Sequence, residues 1–212
     1  MYRLLGFLFF LTGALGQVTL NGTCNFTDIS AVRDLNITKL SGDWHQIRRI
    51  MNSQESGTCS TTKINATFTN STSNITISNK EVNNKKKIYR NGTINLNNIT
   101  RGKLFISYPD IAYDSIILAT NYTNYAVLYS CKNNKNATKK VWAWVLSRDT
   151  TLNKNEEDMI KSVIYINEDL KNATWIDSDH SKEACDANSS TSFRLSIILT
   201  SLTLIFVCKD IL

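Results

Sequence analysis

Proline is almost missing from this 212-residue chain, with Pro109 the single example, and glycine is scarce at eight residues. Collagen-like, linker-like and low-complexity chains are excluded by that composition. Histidine occurs only at His45 and His180. Asp177, Asp179 and His180 are neighbours in sequence, yet no Gly-x-Ser-x-Gly accompanies them, so a hydrolytic triad has no nucleophile. No Cys-x-x-Cys is present, which removes the usual spacing for zinc or thioredoxin chemistry. There is no Gly-x-Gly-x-x-Gly and no phosphate loop. The expectation is therefore a chain with no catalytic residue, no metal and no cofactor. The net charge of +6 has one dense basic run, Lys85-Lys86-Lys87. It lacks interleaved aromatic residues for stacking bases, so it reads as a solvated loop, and no nucleic-acid partner is expected.

Both ends of the chain carry long apolar runs. Arg3, the apolar stretch Leu4 to Leu11 and the small residues Ala14 and Gly16 have the order of a secretory signal, with cleavage expected before Gln17. At the other end, Asp186 to Ser192 is small and polar, and Leu195 to Val207 is apolar. That order is the pattern of a glycosylphosphatidylinositol (GPI) anchor signal. The run is short for a stop-transfer helix, which needs about 20 apolar residues. Asn188 is the expected attachment residue, with Asp186 and Ser189 as rivals. The division of the chain is thus 1–16 signal, 17–188 folded domain and 189–212 anchor signal. About 170 residues remain for the domain, which suits one core.

The middle of the chain fits an oxidising compartment. Asn-x-Ser/Thr occurs at Asn21, Asn25, Asn36, Asn65, Asn70, Asn74, Asn91, Asn98, Asn121, Asn136, Asn172 and Asn188. Such density behind a signal argues for a glycosylated extracellular surface. Cys208 lies in the tail. Cys24, Cys59, Cys131 and Cys185 remain, an even number that predicts two disulfides with three possible connectivities.

From Trp44 to Arg148 apolar and polar residues alternate in short segments, as in Ile64, Ala66 and Phe68 against Asn65 and Thr67. A period of two marks strands with one dry face. The segments are Trp44–Ile50, Cys59–Thr69, a third around Ile75 and Ile77, a fourth around Ile94 and Leu96, Leu104–Tyr108, Ser115–Thr120, Tyr125–Cys131 and Lys140–Arg148. Asn91-Gly92 is the strongest hairpin signal, because both residues accept the positive φ of a type I′ turn. One helix follows, capped by Asn153 and Glu156, with Met159, Ile160, Val163, Ile164 and Asn167 at helical spacing. Eight antiparallel strands and a late helix fit a closed up-and-down barrel; a β-sandwich has a similar strand count.

Three short motifs favour the barrel. Gly42-Asp43-Trp44 opens the first strand, Thr120-Asn121-Tyr122 follows the sixth, and Arg148 ends the eighth. In that order they resemble the three signatures of the lipocalin family. Within that family, Ile116–Cys131, Trp142–Arg148 and Gly57-Thr58-Cys59 resemble the apolipoprotein D branch, and the tail resembles that of its insect Lazarillo-like members. The resemblance spans about Cys24 to Cys185 and implies an all-β fold, an eight-stranded antiparallel up-and-down barrel with one C-terminal α-helix. It implies that Arg148 lies over Trp44 at the closed end, and that Cys24 pairs with Cys131 and Cys59 with Cys185. It departs at Asn121, where the family carries Asp; the change removes a charge and creates a sequon, which puts receptor docking on that loop in question.

The resemblance and the alternation together imply a lumen lined by Ile64, Phe68, Ile75, Ile77, Leu104, Ile106, Ser115, Ile117, Trp144 and Leu146. Trp144 matches a residue placed in the family's pocket. Loops near Met51–Ser56, Lys85–Gly92, Tyr108–Asp114 and Lys132–Lys139 would form the mouth, with Tyr108 and Tyr113 offering hydroxyls to a polar head group. The expected function is an extracellular carrier of a small hydrophobic ligand such as a fatty acid, retinoid, steroid or other lipid, held at the cell surface by the anchor. The alternative is a glycosylated adhesion or guidance protein that uses the barrel as a scaffold and has a cell-surface partner. The tail reading makes a direct prediction. Phosphatidylinositol-specific phospholipase C should release the protein from intact cells expressing it; retention after treatment would mean that the tail stays on the chain.

Overall fold

The computed structural model describes residues 17–69, 73–98 and 102–187. The expected signal 1–16, Asn70, the side chain of Asn98, the attachment residue Asn188 and the tail 189–212 lie outside the described residues. Ten strands are formed in chain order: β1 (Thr19–Asn21), β2 (Gly42–Ile50), β3 (Thr58–Phe68), β4 (Ser73–Asn83), β5 (Lys86–Asn98), β6 (Lys103–Ser107), β7 (Ala112–Thr120), β8 (Tyr125–Asn133), β9 (Thr138–Ser147) and β10 (Trp175–Asp177). Among the described residues three helices accompany them: α1 (Ile37–Leu40), α2 (Lys154–Ile166) and α3 (Lys182–Cys185).

Strands β2 to β9 pair antiparallel, each with the next, and β9 returns to pair with β2 through His45–Ser147, Gln46–Leu146 and Arg49–Trp144. The result is a closed eight-stranded barrel. Closure leaves none of the eight with an open hydrogen-bonding edge. Short β1 and β10 add to β9 and β2 respectively. Period-two patterning sorts side chains to the two faces. One buried cluster, with Trp44, Ile77, Leu104 and Trp144, fills the inside; a second, with Ile116, Val127, Tyr129 and Val145, lies on the outer wall.

Helix α2 covers the outer wall. Its capping box is present: Asn153 Oδ1 accepts the Glu156 N–H at 3.0 Å, and Glu156 Oε2 accepts the Asn153 N–H at 3.0 Å. Ile160 is buried there and Val163 and Ile164 pack beside it, whereas Met159, expected in the same stripe, is exposed. No helix among the described residues is long and apolar enough to cross a membrane.

The Asn91-Gly92 turn does not form. Both residues lie inside β5, opposite Ser78 and Ile77. The hairpin turns instead at Asn84-Lys85, where φ is +48° and +60°. Gly92 serves close approach: a Cβ there would lie 2.5 Å from the Ser107 carbonyl oxygen and 2.8 Å from the Tyr108 ring. Packing between β5 and β6 thus overrides a local turn preference.

The closed end is built around Arg148. Its guanidinium lies 3.5 Å from the centre of the Trp44 ring. It donates to the carbonyl oxygens of Asp43 at 2.8 Å, Ser41 at 2.9 Å, Lys39 at 3.1 Å and Tyr122 at 3.2 Å. Gly42 has φ +106°, and a Cβ on it would come within 3.0 Å of Arg148 Nη1, so the glycine of the first motif makes room for the arginine of the third. Both expected disulfides are present, Cys24–Cys131 and Cys59–Cys185. They tie the N-terminal arm to β8 and the C-terminal segment to the start of β3.

Removing Arg148 strands several carbonyls and a cation–π contact together. Arg148→Met should therefore cost about 3 kcal/mol of stability, measured by urea unfolding with disulfides intact. A loss under about 1 kcal/mol would contradict this account of the floor.

Candidate functional site: the barrel lumen

The lumen has two chemically different parts. Next to the floor it is apolar. Trp44 is fully buried, with its indole N–H donating to the Leu40 carbonyl at 2.8 Å. Ile64, Ile75, Ile77, Leu104, Ile117 and Leu146 pack around it in one cluster. Toward the mouth the wall becomes polar. Gln46, Arg49, Ser60, Thr62, Asn79, Ser115 and Ser130 are all buried.

The loop between β2 and β3 seals this polar half. Glu55 is only 7% exposed. Its Oε2 accepts the Trp144 indole N–H at 2.7 Å and the Asn52 amide at 3.2 Å, and its Oε1 accepts the Gln46 amide at 3.2 Å. The Trp142 indole N–H donates to Gln54 Oε1 at 2.9 Å. Arg49 Nη2 donates to the carbonyls of Glu55 at 3.2 Å and Gly57 at 3.0 Å. Glu81 accepts the Gly57 backbone N–H at 3.0 Å. A side-chain relay continues inward: Gln46 donates to Thr62, Thr62 to Asn79, and Asn79 to the Tyr108 hydroxyl, each at 3.0 Å. Burial, reinforced by the Glu55 charge, raises the pKa of Tyr108 above the ordinary phenol value. Tyr113 is raised by burial, by Tyr108 and then by Glu55. Both phenols stay protonated and keep a donor in the lumen.

Little room remains. Between the apolar floor and the polar cap a cavity of about 10 Å³ is open to the centre of a water molecule, space for a single water. The open apolar cup expected from the sequence is thus closed in this structure. The cause is the β2–β3 loop, whose Gln54 and Glu55 side chains bond to the two lumen tryptophans.

The expected lining residues divide into four groups. Ile77, Ile106, Trp144 and Leu146 border the residual cavity. Ile64, Ile75, Leu104 and Ile117 face inward but pack against one another below it. Ser115 is fully buried, with its Oγ 2.6 Å from Ser130 Oγ. Phe68 does not point into the lumen: it is 50% exposed. It lies beyond the Ile64–Gly42 pair at the base of the barrel, opposite Ser73, so the alternation carries it past the floor. The lining read from the sequence, apolar except for Ser115, omits Gln46, Thr62 and Asn79. They stand at the same period-two positions as Trp44, Ile64 and Ile77, which was the signal available. The mouth loop expected over Lys85–Gly92 shrinks to Asn84-Lys85.

The two histidines meet outside the lumen, with ring centres 5.0 Å apart. His180 Nε2 lies 3.0 Å from the Gln46 carbonyl. Burial, then His180, lowers the pKa of His45. Cys59, His180 and Cys185 form a compact group, but both sulfurs are joined in a disulfide and offer no thiolate to a metal.

Known proteins share this architecture. Residues 41–177 match the model of the lipocalin / cytosolic fatty-acid binding protein family. The chain is 30% identical to apolipoprotein D of Macaca fascicularis over 178 residues, covering 80% of this chain and 90% of the relative. It is 26% identical to insecticyanin-B of Manduca sexta over 194 residues, covering 85% and 90% respectively. Among solved structures, insecticyanin from the tobacco hornworm superposes with a TM-score of 0.65 at 23% identity, over 81% of this chain and 93% of that one. Lobster apocrustacyanin A1 superposes with a TM-score of 0.60 at 19% identity, over 79% and 93%. The family of small-hydrophobe-binding barrels accounts for the closed sheet, the Trp44–Arg148 floor and the inward tryptophans, and the chain belongs to it: it is a lipocalin.

Proposed function

We propose that this lipocalin is an extracellular carrier that takes a small hydrophobic ligand into the mouth side of its barrel by displacing the β2–β3 loop. A fatty acid, a retinoid or a steroid pairs an apolar body with a polar end. The observation that carries the reading is the placement of Trp144, Gln46, Thr62, Asn79 and Tyr108, joined through Glu55, as one connected polar set above an apolar floor. A core serving stability alone gains little from burying such groups, because each one left without a partner costs about 1–3 kcal/mol. A ligand with one polar end and an apolar body uses both halves.

Two further features support an extracellular setting. The disulfides belong in an oxidising compartment. The sequon residues Asn21, Asn25, Asn36, Asn65, Asn74, Asn91, Asn121, Asn136 and Asn172 are all exposed, so a glycan on any of them meets solvent. Tethering through Asn188 and membership of the Lazarillo-like branch rest on the sequence of the tail. No residue is assigned a catalytic role.

The second reading, a tethered adhesion or guidance protein with the barrel as scaffold, is favoured by the small residual cavity. A titration separates the two. Fatty acids, retinoids and steroids added to the secreted protein should quench tryptophan emission saturably, and Trp144→Phe should reduce the quenching. Silence across all three classes would leave the scaffold reading.

A further inference from the structure

We propose that the mouth side of the lumen is a carboxylate site, filled by the chain's own Glu55 until the acid group of a ligand takes its place. The inference rests on the carrier reading and narrows the ligand to carboxylic acids bound with the acid group inward.

The donors that hold Glu55 belong mainly to the wall. Trp144 stands on β9 and Gln46 on β2, so both keep their places when the loop moves. Only Asn52 travels with the loop, where its Oδ1 also accepts the backbone N–H groups of Gln54 and Glu55 at 3.0 Å and 2.9 Å. With Asn52 withdrawn, Trp144 and Gln46 still offer one donor to each oxygen of a planar carboxylate, the pattern that an acid group from outside would meet. Neutral lipids offer a single hydroxyl or carbonyl and satisfy fewer of them.

Arg49 is a second and independent pointer to an anion. It is 2% exposed, and its Nε and Nη1 have no hydrogen-bond partner in the structure. Its Nη2 reaches only the backbone carbonyls of Glu55 and Gly57. Among the described residues it forms no ion pair. A guanidinium buried without a countercharge is costly. Glu55 relieves this incompletely, because it offers Arg49 its carbonyl rather than its carboxylate. A mobile ligand acid is free of that backbone constraint. Gln46 Oε1 and Ser60 Oγ are likewise buried and unpartnered.

The loop is suited to leaving. Between Ile50 and Thr58 it joins no strand, and Met51 N–H donating to the Thr174 carbonyl is its backbone link outward. Its other hydrogen bonds to the barrel run through side chains: Gln54 and Glu55 accept from Trp142, Trp144 and Gln46, Arg49 and Glu81 bind its backbone, and Asn83 donates to the Ser56 hydroxyl at 2.8 Å. When Gln54 and Glu55 withdraw, they vacate the space beside Trp142, whose ring stacks on Tyr113 with centres 4.8 Å apart. That aromatic wall takes the apolar body of the ligand.

The experiment compares dodecanoic acid with dodecanol, binding each to the full secreted chain and reading the ratio of their affinities. Glu55→Ala removes the competing carboxylate, and the acid-to-alcohol ratio should rise about tenfold. Glu55→Gln keeps the size of the side chain and removes its charge; the ratio should rise here too, which covers the case in which the alanine variant folds poorly by near-UV circular dichroism. Adding Trp144→Phe to Glu55→Ala removes one donor and should lower the ratio at least about threefold. A ratio unchanged within about twofold in the folded Glu55 variants would overturn the carboxylate site while leaving a carrier of neutral lipids. If neither compound binds any form, the carrier reading fails as well.

Discussion

Three stretches of chain meet at the Arg148 guanidinium. The end of α1 contributes the carbonyls of Lys39 and Ser41, β2 contributes Asp43, and the β7–β8 turn contributes Tyr122. The carbonyls at the end of a short helix have no partner within it, and here a cation supplies one. Trp44 beneath closes the hole through the barrel that this junction rings. Because Arg148 directly follows β9, and Trp44 sits in β2, the contact also fixes the seam where the cylinder closes. Every position higher in the lumen inherits its register from that seam. Trp144 faces Gln46 and Glu55 because β9 and β2 are joined in this register and no other.

The floor was legible in the sequence because its chemistry is local to three short motifs. Even the departure at Asn121 keeps its structural role. Asn121 Oδ1 accepts the backbone N–H groups of Asn124 at 2.8 Å and Tyr125 at 3.1 Å. An amide oxygen fills that turn as a carboxylate would, so what the substitution changes is the surface charge and the sequon, not the loop. The eight barrel strands and the α2 capping box were legible for a similar reason, since both rest on spacing within a few residues; the three-residue β1 and β10 are too short to show a period.

What was not legible depended on which strand lies next to which. Asn91-Gly92 satisfies every local requirement of a turn, yet the Tyr108 ring and the Ser107 carbonyl occupy the space a side chain at 92 would need. The glycine is explained by β6, and no window of sequence around it contains β6. Phe68 fails in the same way: its period is right, but the barrel ends before it does. The polar half of the lumen is hidden for a related reason. Polar residues at inward positions give no local signal of their partners, because Gln46, Thr62 and Asn79 satisfy one another only once β2, β3 and β4 are side by side.

The closed lumen sets a thermodynamic condition on any ligand. A site open in only a fraction of molecules binds with its intrinsic affinity reduced by that fraction. Each ~1.4 kcal/mol by which the Glu55-in form is favoured weakens binding tenfold. The hydrogen bonds to Trp144, Trp142 and Gln46 favour the closed form. Burial of the Glu55 charge and the poorly partnered Arg49 act against it. These terms oppose one another within the same few residues, so the balance is adjustable by small changes in the loop without disturbing the floor. A ligand that only fills space must bear the whole cost of opening. One that reproduces the contacts of Glu55 recovers the wall bonds the loop gave up, and chemical selectivity then follows from the closed state itself.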